Sequence, residues 1–186
     1  MISYQNNTTY ETITSFNEVK LTNKTLILCD IDDTIMHYPE CDKKCKELLK
    51  ELFLQELTGP DLEKELKEIK NIYKRVKPPS HTDYHGFVSM LNKLSELNGK
   101  LIFITARNKG TEYWTEKQLK QIGIDPEKYD IHYVGTKISK GEYIKLYIDL
   151  SDWDSVIFID DYVSFIKSVL ELHPEIKCYK FEAAVN

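Results

Sequence analysis

The residues able to do chemistry gather where apolar runs stop. Thr25-Leu26-Ile27-Leu28-Cys29 reads as a buried strand and ends in Asp30-Ile31-Asp32-Asp33-Thr34. Folding alone gives no reason for a carboxylate cluster at that point. Like charges repel and resist removal from water unless a positive charge sits among them. A divalent cation is the simplest such charge. Asp30 and Asp32 are two apart, so an extended backbone would aim both side chains to one side. The alternative is a strand followed by an acidic turn, with Asp33 and Thr34 serving as helix caps. Two further apolar runs stop in the same manner. Leu101-Ile102-Phe103-Ile104 ends at Thr105-Ala106-Arg107, and Val156-Ile157-Phe158-Ile159 ends at Asp160-Asp161.

These residue types suit phosphoryl transfer. Carboxylates from two strand ends would hold a hard cation such as Mg²⁺, which takes oxygen ligands and leaves room for phosphate oxygens. A carboxylate can attack phosphorus and form an aspartyl-phosphate, which divides hydrolysis into two easier steps. A second carboxyl, two residues on, can protonate the leaving oxygen and later take a proton from water. A hydroxyl, a backbone amide and a lysine would hold the non-bridging oxygens where charge sits in the transition state.

The elements that must position these residues follow from periodicity. Residues 1–24, rich in Thr, Asn and Ser, read as an N-terminal extension with a short helix near Ser15–Lys20. After the first strand, Lys43–Leu57 and a stretch opening at Pro60-Asp61 carry apolar residues at helical steps, broken by Gly59-Pro60 and ended by Pro78-Pro79. They form a helical hairpin. A helix over Tyr84–Leu97 closes at Asn98-Gly99, and a strand follows over Lys100–Thr105. The remainder alternates: a helix from Thr111 with Trp114 and Leu119 inward, a strand over Asp130–Val134, and a helix opening near Lys140-Gly141. A strand to Asp160, a helix over Tyr162–Leu172 and a strand over Ile176–Phe181 complete the chain. Alternation of this kind predicts an α/β fold with a mostly parallel sheet and right-handed crossovers. Ligands bind such sheets at the carboxyl ends of the strands, where all three polar strand ends then meet.

Composition narrows the classes. The chain has 186 residues, room for one core, and a formal net charge of −5. That charge disfavours nucleic acid held by bulk electrostatics. No apolar run is long enough to span a bilayer, and the polar start lacks the parts of a signal peptide. The cysteines follow no framework spacing, so free thiols and a cytoplasmic setting are expected, with a Cys41–Cys45 pair as the weaker alternative. His81 and His85 are spaced i, i+4 without a third ligand near them, which favours surface or capping positions.

The pattern resembles the haloacid dehalogenase superfamily of aspartate-nucleophile phosphatases. Asp30-Ile31-Asp32-Asp33-Thr34 is similar to its first motif, DxDx[TV]. Phe103-Ile104-Thr105-Ala106-Arg107 resembles the second motif, Lys140-Gly141 the third, and Phe158-Ile159-Asp160-Asp161 the fourth; the motifs run in order from Asp30 to Asp161. The resemblance implies a three-layer, doubly wound parallel sheet of the Rossmann type with a small α-helical cap insert. The catalytic core would be 25–40 and 78–186 and the cap 41–77. It implies that Asp30 is the nucleophile and a Mg²⁺ ligand, and that Asp32 is the general acid and base, its carbonyl also on the metal. Thr105 would bind phosphate with Ala106 and Arg107 beside it, and Lys140 would stabilise the phosphoryl oxygens and the nucleophile. Asp160 and Asp161 would complete the metal site. Lys137, three residues before Lys140, competes for the third-motif role. Members that dehalogenate lack an acid at the position of Asp32, so the resemblance favours a phosphatase.

The expected substrate is a small phosphomonoester. A phosphate-binding scaffold without catalysis, or a phosphatase of nucleic-acid ends, stands as the alternative. The apolar stripe of the hairpin would cover the site or meet a second copy of the chain in a homodimer. Lys74, Arg75 and Lys77 at its end would contact substrate or complement the helix dipole.

Overall fold

The structure is a computed structural model that describes residues 9–38 and 79–183. The helical hairpin expected over 41–77, with Cys41, Cys45, Lys74, Arg75 and Lys77, lies outside the described residues. Among the described residues, no helix is long and apolar enough to cross a membrane.

The elements are β1 (Glu11–Ile13), a 3₁₀ turn (Phe16–Glu18), β2 (Thr25–Cys29), β3 (Met36–His37), β4 (Ser80–His81), α1 (Tyr84–Glu96) and β5 (Lys100–Thr105). There follow α2 (Glu112–Gln121), a second 3₁₀ turn (Pro126–Lys128), β6 (Asp130–Tyr133), α3 (Lys140–Tyr147), β7 (Ser155–Asp160), α4 (Val163–Leu172) and β8 (Lys177–Phe181). Six strands form one sheet in the order β1-β8-β7-β2-β5-β6, and every pairing in it is parallel. The chain builds outward from β2 on one side through β5 and β6, then crosses to build β7 and β8 on the other.

Every residue of β2 is buried, as a strand paired on both edges and covered on both faces requires. Its side chains alternate between two cores. Ile27 and Cys29 join Phe87, Met90 and Leu94 of α1 and Leu119 of α2. Leu26 and Leu28 join Ile144 of α3 and Ile166, Val169 and Leu170 of α4. Helices on both faces of a parallel sheet make the three layers. The α/β fold with a parallel sheet expected from the alternation is observed, and so are the three layers that the resemblance implies.

The N-terminal stretch departs from expectation. Residues 1–24 read as an extension from the sequence; among the described residues of that stretch β1 pairs with β8, Thr12 opposite Lys180. Phe16 is fully buried, stacked on Phe181 at 4.6 Å and edge-on to Phe87 at 5.4 Å. The reason is cap sharing. Asp83, the N-cap of α1, accepts from Gly86 N and also from Ser15 Oγ at 2.7 Å and Phe16 N at 2.9 Å. One carboxylate thus closes a helix and pins the turn that delivers Phe16.

Beyond β2 the chain forms a tight loop. Ile35 N and Met36 N both donate to Ile31 O, with Ile31 and Ile35 fully buried. Asp33 takes φ +58°, a conformation that Asp tolerates better than most residues. Its place in the acidic run is therefore a backbone requirement as well as a charge. The short antiparallel ribbon of β3 and β4 follows, with Met36 opposite His81 and His37 opposite Ser80. His81 sits in this ribbon. Its Nδ1 accepts from Asp83 N, its ring meets Phe87 and Tyr84, and burial pulls its pKa down to about 4.

Candidate active site

Strand register alone places the acidic residues together. Cys29 of β2 lies opposite Ile159 of β7, so the next residues, Asp30 and Asp160, stand side by side; Asp30 N donates to Ile159 O at 2.9 Å. Both continue the parity of Leu28 and Phe158, so both face the layer of α3 and α4. There α3 begins with Lys140, after a capping box in which Ser139 accepts from Glu142 N and Glu142 accepts from Ser139 N.

Gly141 lets that helix end approach. A Cβ on Gly141 would lie 2.0 Å from Ser168 O of α4, so any side chain there would push the two helices apart and withdraw Lys140. In the observed packing Lys140 Nζ donates to Asp30 Oδ1 at 2.5 Å and to Asp160 Oδ2 at 2.7 Å. All three residues are buried.

A lysine in a first helical turn opposes the helix dipole, and burial alone would pull its ammonium down. Asp160 and Asp30 outweigh burial and hold Lys140 above the usual lysine range. Burial pushes the Asp30 carboxyl well above its ordinary value, Lys140 pulling against it and Asp160, Asp161 and Asp32 adding to it. Burial likewise raises Asp160, against the pull of Lys140 and the Tyr162 amide. Asp161 is pushed up to about 7 by burial, then by Asp160 and Asp33. Asp30, Asp160 and Asp161 each offer a carboxylate oxygen, all within 4.8 Å of one another. One lysine against these carboxylates leaves the cluster short of positive charge. An oxygen-only donor set with a charge deficit fits a hard metal ion.

Two hydrogen bonds hold the loop between β7 and α4. Asp161 N donates to Thr34 Oγ1 at 3.0 Å, and Tyr162 N donates to Asp160 Oδ1 at 2.8 Å. Thr34 therefore caps the other strand end, not a helix after its own. The sequence offered Thr34 as a local cap or as the last residue of the first motif; its hydroxyl holds the Asp161 amide.

At the end of β5, Thr105 is buried, and its Oγ1 accepts from Arg107 N at 3.2 Å. Ala106 follows it, half-buried. Arg107 turns inward. Its guanidinium, 1% exposed, sits under Asp32: Nε donates to Asp32 Oδ2 at 2.8 Å and Nη2 to Asp32 Oδ1 at 2.6 Å. Arg107, expected beside the phosphate-binding Thr105, is engaged with Asp32 through this ion pair. Asp32 is 39% exposed at its side chain, and its carboxylate is not one of the group that could hold a metal. The expected contribution of Asp32 to a metal was its backbone carbonyl.

Two residues holding Arg107 were missed by the sequence reading. Nη1 donates to Thr115 Oγ1 at 2.9 Å and to Gln118 Oε1 at 2.7 Å. The signal was available. Thr115 and Gln118 lie three apart, beside Leu119, on the buried face of α2, where polar residues break an apolar stripe. Trp114, expected on that face, is only half-buried. Between the competing lysines, Lys140 reaches Asp30 and Asp160, whereas Lys137 is exposed in the preceding loop.

No protein-family model matches the sequence, and no curated protein does. Solved structures do share the fold. A HAD-superfamily hydrolase from Ehrlichia chaffeensis is 17% identical over 89% of this chain and 91% of its own, with a TM-score of 0.51. A protein provisionally named β-phosphoglucomutase from Thermotoga maritima is 15% identical over 88% and 87%, with a TM-score of 0.52. The HAD domain of the effector protein Lem4 from Legionella pneumophila, an inactive mutant, is 18% identical over 88% of each chain, at 0.51. The chain has the fold of HAD-superfamily proteins.

Proposed function

We propose that the protein is a Mg²⁺-dependent phosphomonoester hydrolase that works through a phospho-aspartate on Asp30, with a small phosphorylated molecule as substrate. The observation that carries this reading is the buried bridge of Lys140 between Asp30 and Asp160, with Asp161 beside it. Lys140 orients the Asp30 carboxyl. An Asp30 oxygen bonds to phosphorus as the ester P–O bond breaks, and the departing oxygen takes a proton from the Asp32 carboxyl. Water then attacks the phospho-aspartate, Asp32 takes its proton, and cleavage of the P–O bond to Asp30 releases phosphate and restores both groups. The Thr105 hydroxyl, the Ala106 amide and Lys140 bind the non-bridging oxygens. Mg²⁺, held by Asp30, Asp160, Asp161 and the Asp32 carbonyl, would add positive charge where the phosphoryl group transfers.

The test is hydrolysis of p-nitrophenyl phosphate and a panel of phosphometabolites with and without Mg²⁺. Turnover that EDTA abolishes and Mg²⁺ restores is expected. No turnover across the panel, with beryllofluoride failing to bind, would overturn the reading in favour of a scaffold.

Metal binding carries its own pH signature. Asp161 has its carboxyl raised from 3.8 to about 7 in the folded chain. Without metal, the stability this shift gives is full below the ordinary value and is lost as pH rises through about 7. A cation must displace that proton, and likewise any proton on Asp30. Mg²⁺ is therefore expected to stabilise the folded chain more at about pH 8 than at about pH 6, seen as a larger rise in melting temperature; at a hundredfold excess over its dissociation constant the stabilisation is roughly 2.7 kcal/mol. Equal shifts at both pH values would remove the carboxylate cluster as the site.

A further inference from the structure

Arg107 is an expensive residue to bury, and its surroundings account for it completely at one end. Its fork takes both oxygens of Asp32, at 2.8 and 2.6 Å. The far nitrogen, Nη1, is fixed by Thr115 Oγ1 and Gln118 Oε1. Those anchors are themselves anchored. Thr115 Oγ1 donates to Thr111 O at 3.0 Å, and Gln118 Nε2 donates to the Tyr38 hydroxyl. Arg107 is tied as well to Thr105 through its own amide. The polar face of α2 thus holds the guanidinium that meets Asp32.

We infer that Arg107 is the positioning residue of Asp32, the arginine fork holding the carboxyl at one place and angle while it gives a proton and later takes one back. This inference rests on the phosphatase reading. The terminal torsion of an aspartate is soft, so a carboxyl that must serve two successive steps gains from an external constraint. A bidentate guanidinium supplies it, and a lysine ammonium, as a point charge, does not. Each carboxylate oxygen has a second lone pair beyond the one engaged, so Asp32 keeps a site for the proton it exchanges.

A residue that positions an acid leaves a mark that a phosphate-binding arginine does not. Protonation of the leaving oxygen matters for an alkyl phosphate and hardly at all for 2,4-dinitrophenyl phosphate, whose leaving group departs as a stable anion. With Arg107→Lys, kcat/KM for alkyl phosphates is expected to fall about 100-fold, while that for 2,4-dinitrophenyl phosphate changes by less than about threefold. Asp32→Asn is expected to show the same dependence on leaving group, and the double variant no further loss beyond Asp32→Asn alone. Thr115→Val, which leaves the fork in place and removes one of its anchors, is expected to give a smaller loss with the same selectivity. It carries the test if Arg107→Lys does not fold. Beryllofluoride and Mg²⁺ binding retained in each variant would show Asp30 and Lys140 intact. A loss uniform across leaving groups, or one that multiplies with that of Asp32→Asn, would overturn the inference while leaving the phosphatase reading in place. Absence of wild-type turnover would overturn both.

Discussion

Asp30→Asn is expected to fold with a melting temperature close to that of the wild type and to lose turnover by a factor on the order of 10⁴ or more. The two halves of that result have separate causes. A carboxamide has the shape of the carboxylate but is not a nucleophile toward phosphorus at neutral pH, so the first step loses its attacking atom. The fold survives because Lys140 keeps Asp160 as a partner at 2.7 Å, and the cluster sheds one of the charges that burial disfavours. The comparison needs both proteins loaded with Mg²⁺ and assayed on one substrate, with thermal melts alongside. Retention of a tenth or more of the activity would remove Asp30 as nucleophile. Loss of folding would instead mean that the lysine bridge needs both carboxylates.

Lys140→Met is expected to be the most destabilising single change at the site, by about 3–5 kcal/mol. Methionine fills the volume, so the cost is electrostatic: Asp30 and Asp160 would face each other, buried, without the ammonium between them. Their folded-state carboxyls, already raised, would rise further. Stability in the variant is then retained at low pH, where the carboxyls hold protons, and lost as pH rises through their folded values. Mg²⁺ should recover part of the loss by supplying the missing charge. In an Asp160→Asn background the same substitution should cost much less, since one of the opposed charges is gone. Denaturant melts from acid to mildly alkaline pH would measure this. A cost independent of pH would assign the lysine a packing role only.

Much of this site was legible in the sequence because parallel strands buried on both faces announce themselves as unbroken apolar runs. The runs ending at Asp30, Thr105 and Asp160 could be counted, and register then does the rest. Lys140 was legible as a helix start beside Gly141. The features that were not legible depend on distance along the chain or on brevity. β1 has a single buried residue, Ile13, too little to show a period. Phe16 enters the core through hydrogen bonds to Asp83, a partner 67 positions away. Arg107 lies 75 positions from Asp32, and nothing local distinguishes an arginine aimed at phosphate from one aimed at a carboxylate. The polar residues Thr115 and Gln118 on a buried helical face are the available clue, and the neighbouring Trp114 and Leu119 make that face read as apolar.

The ribbon of β3 and β4 has a consequence for the rigidity of the site. His37 and Ser80, far apart in the chain, share one rung. That rung is antiparallel and stands outside the parallel sheet. The register that sets Asp30 against Asp160 is fixed by β2 and β7 alone, so the two carboxylates keep their places without help from the ribbon: the clasp and the blade are separate parts.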